Sequence, residues 1–321
     1  MQCPKFELKN GKTVQLSRVV LGTGKFYSEQ DKSNALEILD EYVRLGGNCI
    51  DTGRQYGLSE NIIGEWLETR KCRDKVSILT KGGHPSLKQP NKSRLSKQDL
   101  CADLEASLSA FSTNFVELYA LHRDDESMPV SEIMPTLHQF IEDGKVGAIG
   151  TSNWTEERIS AANDYAKKNK LTEFSFNNPG FSLADCNHPP WPGCVMAEES
   201  MLAWHRENAV PLFAWSPQAS GFFSGKYSPD DTANREMVEV YYSDSNWSRL
   251  QKATKLAEKL TCTPTQVALA YVCNQPFPSF AIIGARTKEH LQQAFEASRI
   301  SLDHQAMHWL TDQKLTTDGV V

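Results

Sequence analysis

Short apolar runs alternate along this chain with longer polar stretches in which apolar residues recur at helical spacing. Phe6 to Leu8 and Val14 to Leu16, separated by the turn signal Asn10-Gly11, predict a β-hairpin. Beyond it, Val19–Gly22, Cys49–Asp51, Val76–Thr80, Val116–Leu121, Gly147–Gly150, Phe174–Phe176, Val210–Ala214 and Phe280–Ile283 read as eight strands. The stretches between and after them read as helices: Asn34–Leu45, Glu60–Arg70, Lys97–Ala110, Val130–Glu142, Glu156–Lys168, Ala197–Glu207, Ser248–Leu260 and Lys288–Ala297. In the first of these, Ala35, Ile38, Leu39, Tyr42, Val43 and Leu45 fall on one face, the pattern of a helix laid on a core.

Strands apolar on both faces belong to a parallel sheet covered on both sides. Eight strand-then-helix units predict an α/β fold, a closed (β/α)8 TIM barrel with an N-terminal β-hairpin, in one domain spanning residues 1–321. An open doubly wound sheet would use fewer units and a glycine-rich first turn. Two connections exceed simple linkers and are expected at the C-terminal face of the barrel. Residues 182–195 carry Trp191 among prolines, and 218–247 carry Phe222, Phe223, Tyr227, Tyr241, Tyr242 and Trp247. Long aromatic loops there shape a pocket more often than they merely connect.

Composition narrows the function classes. A net charge of -6 gives no reason to expect nucleic acid or an anionic membrane as partner. No stretch approaches the ~18 uninterrupted apolar residues of a membrane span. Lys5, Glu7 and Lys9 deny the N-terminal segment the apolar core of a signal peptide, so a cytoplasmic protein is expected. The eight cysteines are scattered without a Cys-x-x-Cys pair, which reads as reduced thiols. Asn-x-Ser/Thr triplets at Asn91, Asn153 and Asn246 mean little without a secretory signal.

The chemistry sits at the strand ends. The second strand runs into Asp51, with Tyr56 beyond a glycine-flanked turn, the third leads to Lys81 and the fourth to His122. Each alone has an ordinary explanation: a solvated rim lysine, a satisfied histidine, a packed tyrosine. Three consecutive barrel units deliver them to one face, where barrel active sites lie. A tyrosine hydroxyl titrates near pH ~10, and a lysine beside it favours its ionised form. A carboxylate such as Asp51 would keep that lysine charged, and His122 would orient a substrate oxygen. The set suits proton donation to a carbonyl oxygen while hydride reaches its carbon.

These residues carry a specific resemblance. IDTGRQYG, ILTKGG, LYALHRDD, VGAIGTSNW, FAWSPQASGFFSGKY and AIIGARTKEHLQQAF occur in that order, and the chain resembles the aldo-keto reductase family along nearly its whole length. The resemblance implies the (β/α)8 barrel and a catalytic set of Asp51, Tyr56, Lys81 and His122, with Tyr56 the general acid in reduction. It implies hydride from a nicotinamide, NADPH in preference to NADH, since these side chains supply none.

By the same resemblance Ser152 and Asn153 hold the nicotinamide carboxamide and Trp215 stacks on its ring. Asn178 stands where the family usually has Gln, and Phe181 where it often has Tyr, so the carboxamide grip differs from the family pattern. Gly22, Thr23, Gly24, Ser216, Pro217 and Gly225 complete the cofactor rim. Gly284 and Arg286 lead into the adenosine-phosphate end, with Arg286 the contact to a 2′-phosphate. His290, Gln293 and Ala294 depart from the family's Gln, Glu and Asn, so the adenine contacts are less determined. The substrate, a small-molecule aldehyde or ketone with sugar-derived carbonyls among the candidates, would meet Phe26, Tyr27, Tyr56, His122, Trp154, Trp191 and Trp247. His84, Arg123 and His188 either meet an anionic or hydroxylated substrate or face water.

Other motifs fall short. Gly22-Thr23-Gly24 has Tyr27 where a dinucleotide-binding Gly-x-Gly-x-x-Gly needs its third glycine, and Gly221 to Lys226 is one residue short of a phosphate loop. His304 and His308 share a helical face, but lack a third ligand, so no metal is expected. Asp124, Asp125 and Glu126 read as a solvated loop. Two rival functions stay open: a Schiff-base lyase using Lys81 as nucleophile, disfavoured by Asp51 beside it, and a nucleotide-binding regulatory subunit of the same fold with little turnover.

Overall fold

A computed structural model describes residues 5–8, 11–24, 28–86 and 88–311. The hairpin pairs β1 (Lys5–Glu7) with β2 (Thr13–Gln15), Phe6 opposite Val14. Eight strands then close a barrel: β3 (Val19–Gly22), β4 (Cys49–Asp51), β5 (Ser77–Gly82), β6 (Val116–Leu121), β7 (Val146–Ser152), β8 (Asn177–Asn178), β9 (Leu212–Trp215) and β10 (Ser279–Ile283). Neighbours follow chain order, every pairing is parallel, and β10 closes onto β3.

The alternation of side chains along each strand divides the apolar residues into two cores. Val20, Cys49, Leu79, Leu118, Ala120, Ala148, Phe176, Phe213, Phe280 and Ile282 fill the barrel, and Phe6, Leu8 and Leu16 of the hairpin segment join them. The Phe6 ring meets Phe176 edge-on at 5.9 Å, so the hairpin plugs one end of the barrel with apolar mass. The intervening positions, among them Val19, Ile50, Ile78, Tyr119 and Ile149, face outward into a second core beneath the helices.

The helices are α1 (Lys32–Arg44), α2 (Ser59–Arg70), α3 (Lys97–Ala110), α4 (Val130–Glu142), α5 (Glu156–Lys168), α6 (Glu199–Asn208), α7 (Arg235–Tyr241), α8 (Asp244–Leu260), α9 (Pro264–Cys273), α10 (Lys288–Ala297) and α11 (His304–Thr311). Side-chain oxygens start several of them: Ser96, Thr155 and Thr287 each accept a backbone N–H of the first turn. Among the described residues no helix is long and apolar enough to cross a membrane.

The structure departs from the expected elements at three places. The strand expected at Phe174–Phe176 has its ladder at Asn177–Asn178, although Ser175 N donates to Ile149 O at 2.9 Å and Phe176 O accepts from Thr151 N. Helix α9 went unread because residues 266–273 are all buried, which erases the polar face that marks a surface helix. Its start is nonetheless written in the sequence, as Thr263 and Gln266 form a capping box ahead of Pro264. The stretch 218–247 is only partly loop: it holds α7, capped by Asn234, and the start of α8, which begins at Asp244 because Ser243 caps it.

Candidate active site

The strand alternation places the candidate residues. Cys49, Leu79 and Ala120 point into the barrel, so the residues two positions on, Asp51, Lys81 and His122, point the same way at the C-terminal end. The same step leads from Val20 to Gly22, Ala148 to Gly150 and Ser152, Phe176 to Asn178, Phe213 to Trp215 and Ile282 to Gly284. One periodicity therefore serves both the plug and the site.

Lys81 Nζ donates to Asp51 Oδ1 in a close ion pair and to Thr52 O at 2.9 Å. Only 1% of Lys81 and 4% of Asp51 is exposed. The ammonium lies 5.1 Å from the centroid of the Tyr56 ring. Tyr56 OH is 3.4 Å from His122 Nε2, and the two rings meet edge to face. All four expected residues thus form one contiguous cluster.

Burial alone would strip the proton from Lys81, but the charges of Asp51 and Tyr56 and the bonds to them outweigh it, and its pKa is raised. Burial pushes the Asp51 carboxyl up against the pull of Lys81. Burial also raises the Tyr56 phenol, and Lys81 offsets this only in part. Tyr56 therefore holds its proton near neutrality, as a proton donor must. Burial, with Lys81 and Arg123 nearby, depresses His122 far below 6.5, so it is a neutral imidazole.

The turn carrying Tyr56 is held by a network that the sequence reading missed. Arg54 N donates to Lys81 O and Tyr56 N to Gly53 O, both at 2.9 Å. Behind them Glu60, 1% exposed, pairs with Arg54 at 2.5 Å and accepts from Thr80 Oγ1 at 2.6 Å and Ser107 Oγ at 2.7 Å. A carboxylate in the first turn of the helix after IDTGRQYG was the available signal, since buried charge must be paired. Thr23, Thr52 and Ser59 tie the ends of β3 and β4 together through their hydroxyls.

The expected cofactor rim also gathers at this end. Ser152 Oγ donates to Asn178 O at 3.0 Å, and Asn153 Nδ2 donates to Ser152 Oγ at 3.0 Å and His122 O at 3.3 Å. Asn178 Nδ2 donates to Phe213 O. After β9 the backbone enters the left-handed region at Ser216, Ala219, Ser220, Gly221 and Gly225. Backbone turned this way can present successive N–H groups to an anion, which suits a diphosphate. Pro217 is buried beneath this run. Past β10, Gly284, Arg286, His290 and Gln293 are exposed around the start of α10, a helix N-terminus of the kind that favours phosphate. Gly22 has no room for a side chain, because a Cβ there would come 2.7 Å from Ile282 Cγ2, while Thr23 is buried and Gly24 exposed. The residues present fit a nicotinamide dinucleotide.

The expected substrate walls are scattered more widely. Trp191 stacks on Trp215 with centroids 5.3 Å apart, tying the 182–195 loop to the cofactor rim. Trp154 is 0% exposed, edge-on to Phe174 and beneath Arg158, so it presents no surface here to a ligand. Trp247 packs on Phe222 and Tyr242 and lines a cavity of about 530 Å³ with Pro229, Ser243 and Asp244, a lining that includes none of the four catalytic candidates. Phe26 and Tyr27 lie outside the described residues. His84 reaches the cluster, its ring 4.8 Å from that of His122. Phe181 is buried against Tyr271, and His188 is exposed.

Residues 18–312 match the model of the Aldo/keto reductase family. The Bacillus subtilis protein described as the uncharacterized oxidoreductase YrpG is 31% identical over 310 residues, 93% of this chain and 92% of that protein. An aryl-alcohol dehydrogenase [NADP(+)] of Phanerodontia chrysosporium is 28% identical over 300 residues, 88% of this chain and 76% of its own. A Schizosaccharomyces pombe protein provisionally named voltage-gated potassium channel subunit beta is 27% identical over 300 residues, 88% of this chain and 85% of its own.

Proposed function

The chain belongs to the aldo/keto reductase family, and from that premise we propose that it reduces an aldehyde or ketone with NADPH, with Tyr56 as proton donor. The observation that carries the reading is the contiguous cluster of Tyr56, His122, Lys81 and Asp51 inside the C-terminal barrel end. Aryl aldehydes are the first class to test, given the aryl-alcohol dehydrogenase relative. NADPH is preferred to NADH because Arg286 at the exposed start of α10 suits a 2′-phosphate, and that relative is named for NADP(+).

Ser152, Asn153 and Asn178 would hold the carboxamide, Trp215 the ring, and the left-handed run from Ser216 to Gly225 the diphosphate. A nicotinamide dinucleotide held there would supply the hydride that these side chains cannot. His122, neutral, donates an N–H to the carbonyl oxygen and orients it toward Tyr56. Tyr56 transfers its proton to that oxygen, and the phenolate left behind is stabilised by Lys81, which Asp51 keeps charged. A proton from solvent restores the phenol. A Schiff base at Lys81 would need a neutral amine, whereas Asp51 holds it as ammonium.

The potassium-channel relative favours a second reading, a nucleotide-binding subunit with little turnover. A screen of aryl, aliphatic and sugar-derived aldehydes, following NADPH absorbance with NADH in parallel, separates the two. Cofactor binding without consumption against every carbonyl refutes the reductase reading. Equal turnover with NADH refutes the assigned cofactor preference.

A further inference from the structure

We infer that Arg123 is an anion-recognition residue beside the proposed proton donor, so that the preferred substrates are aldehydes bearing a carboxylate or phosphate. The inference rests on the reductase reading and specifies its substrate class.

Arg123 directly follows His122 at the C-terminal end of β6. Its Nη1 donates to His122 O at 2.8 Å, and its Nη2 lies 4.0 Å from Cys194 Sγ. The stem runs along the 182–195 loop, where a Cβ on Gly193 would lie 3.4 Å from Arg123 Cδ. A guanidinium carries five N–H donors, and among the described residues no other acceptor meets Arg123. It also has no carboxylate partner among them. Asp124, next in sequence, is paired with Arg158 at 3.1 Å, and Asp125 accepts from Ser127 Oγ at 2.6 Å. Asp124 and Asp125 are thus engaged elsewhere. Cys194 does not neutralise the charge either, because burial lifts its thiol to about 11.

The guanidinium is held beside the site by its bond to the backbone carbonyl of His122. Its charge acts on Tyr56, His122 and His84. His84 packs edge to face on His122, and its Nδ1–H donates to Pro85 O at 2.7 Å, which turns Nε2 into an acceptor. This corner offers a fixed cation with spare donors and, on its other side, an acceptor for a hydroxyl. A planar fork of that kind grips carboxylate or phosphate through paired hydrogen bonds. A neutral substrate leaves those donors to water.

The test compares matched aldehydes: 4-carboxybenzaldehyde with methyl 4-formylbenzoate, and glyceraldehyde 3-phosphate with glyceraldehyde. The wild type is expected to favour the anionic member of at least one pair in kcat/KM, chiefly through KM, and which pair responds identifies carboxylate or phosphate. Arg123→Gln should reduce the anionic-to-neutral ratio by about tenfold to a hundredfold, the span of a charge-assisted hydrogen bond, and Arg123→Lys should restore only part of it. The ratio cancels any shift of His122 that the substitution transmits through its carbonyl. Calorimetric titration of benzoate and inorganic phosphate into the protein with NADP+ gives a readout independent of turnover. No wild-type preference for either anion, or a ratio and an anion affinity that Arg123→Gln leaves unchanged, overturns the inference. If no aldehyde is reduced, the reductase reading fails, and the titration still decides whether Arg123 binds anions.

Discussion

The most exposing test of the site's electrostatics is the pair Asp51→Asn and Lys81→Met, made singly and together. Lys81 and Asp51 are 1% and 4% exposed and bonded directly, so solvent screens neither. Removing one partner of such a buried pair strands the other charge and costs about 3–5 kcal/mol, a large fraction of the ~5–15 kcal/mol that holds a domain folded. Replacing both leaves no buried charge, so the double variant should lose less than the sum of the singles, with a coupling of about 2–3 kcal/mol. Urea unfolding followed by tryptophan fluorescence and circular dichroism supplies the four free energies. The sign with pH is also fixed. The folded-state pKa of Lys81 is raised, so its contribution is complete below 10.5 and is lost as pH rises through the folded value. Without Asp51 burial dominates and Lys81 loses its proton at lower pH, so the remaining turnover of Asp51→Asn should fall away at a lower pH than in the wild type. Strictly additive losses in the double variant would refute the coupled pair.

Three further outcomes are expected. Tyr56→Phe should lower kcat by about 10²–10⁴-fold, the contribution of a positioned acid, with NADPH affinity by fluorescence titration unchanged; wild-type turnover would remove Tyr56 from the role. His205 is fully buried, donates from Nδ1 to Val210 O at 2.7 Å, and has its pKa lowered by burial from 6.5 to about 4. The unfolded state therefore takes up its proton first, and stability should fall by about 3 kcal/mol between pH 6.5 and 4, a slope that His205→Asn should reduce and whose persistence in that variant would assign it to other groups. Gly64 lies mid-way in α2, where alanine would ordinarily gain ~1 kcal/mol of helix propensity. Its Cβ would collide with the backbone carbonyl of Ala110 at the end of α3, which cannot rotate away, so Gly64→Ala should destabilise by about 1–3 kcal/mol, and a stabilised variant in thermal unfolding would show that the α2–α3 contact yields.

The barrel and three of the four candidate residues, Asp51, Lys81 and His122, were legible for the same reason, whereas Tyr56 lies in the turn beyond β4 and outside that period. A two-residue period is a local property of the chain, and it carries Cys49 to Asp51, Leu79 to Lys81 and Ala120 to His122 without reference to anything distant. Helix α9 was illegible because residues 266–273 are buried all round, and amphipathic period vanishes where both sides are apolar. Glu60 was passed over for a related reason. Arg54 is nearby in the turn, but Thr80 and Ser107 come from other elements, so the first-turn glutamate is a signal in the sequence while the partners that make it interior are not. Two of the expected substrate walls are placed by other forces. Trp154 and Trp247 were chosen as large aromatics near the rim, but aromatic mass in a connection is drawn into whatever core lies closest, and theirs are Phe174 and Phe222. Once the strand ends, the alternation that aims a side chain ends with it, and long-range packing takes over. Chemistry shared across a family can be fixed by strand register. On the proposed reading, selectivity comes from residues one step beyond it, as Arg123 is beyond His122, where the neighbouring loop at Gly193 and Cys194 rather than the sheet meets the side chain.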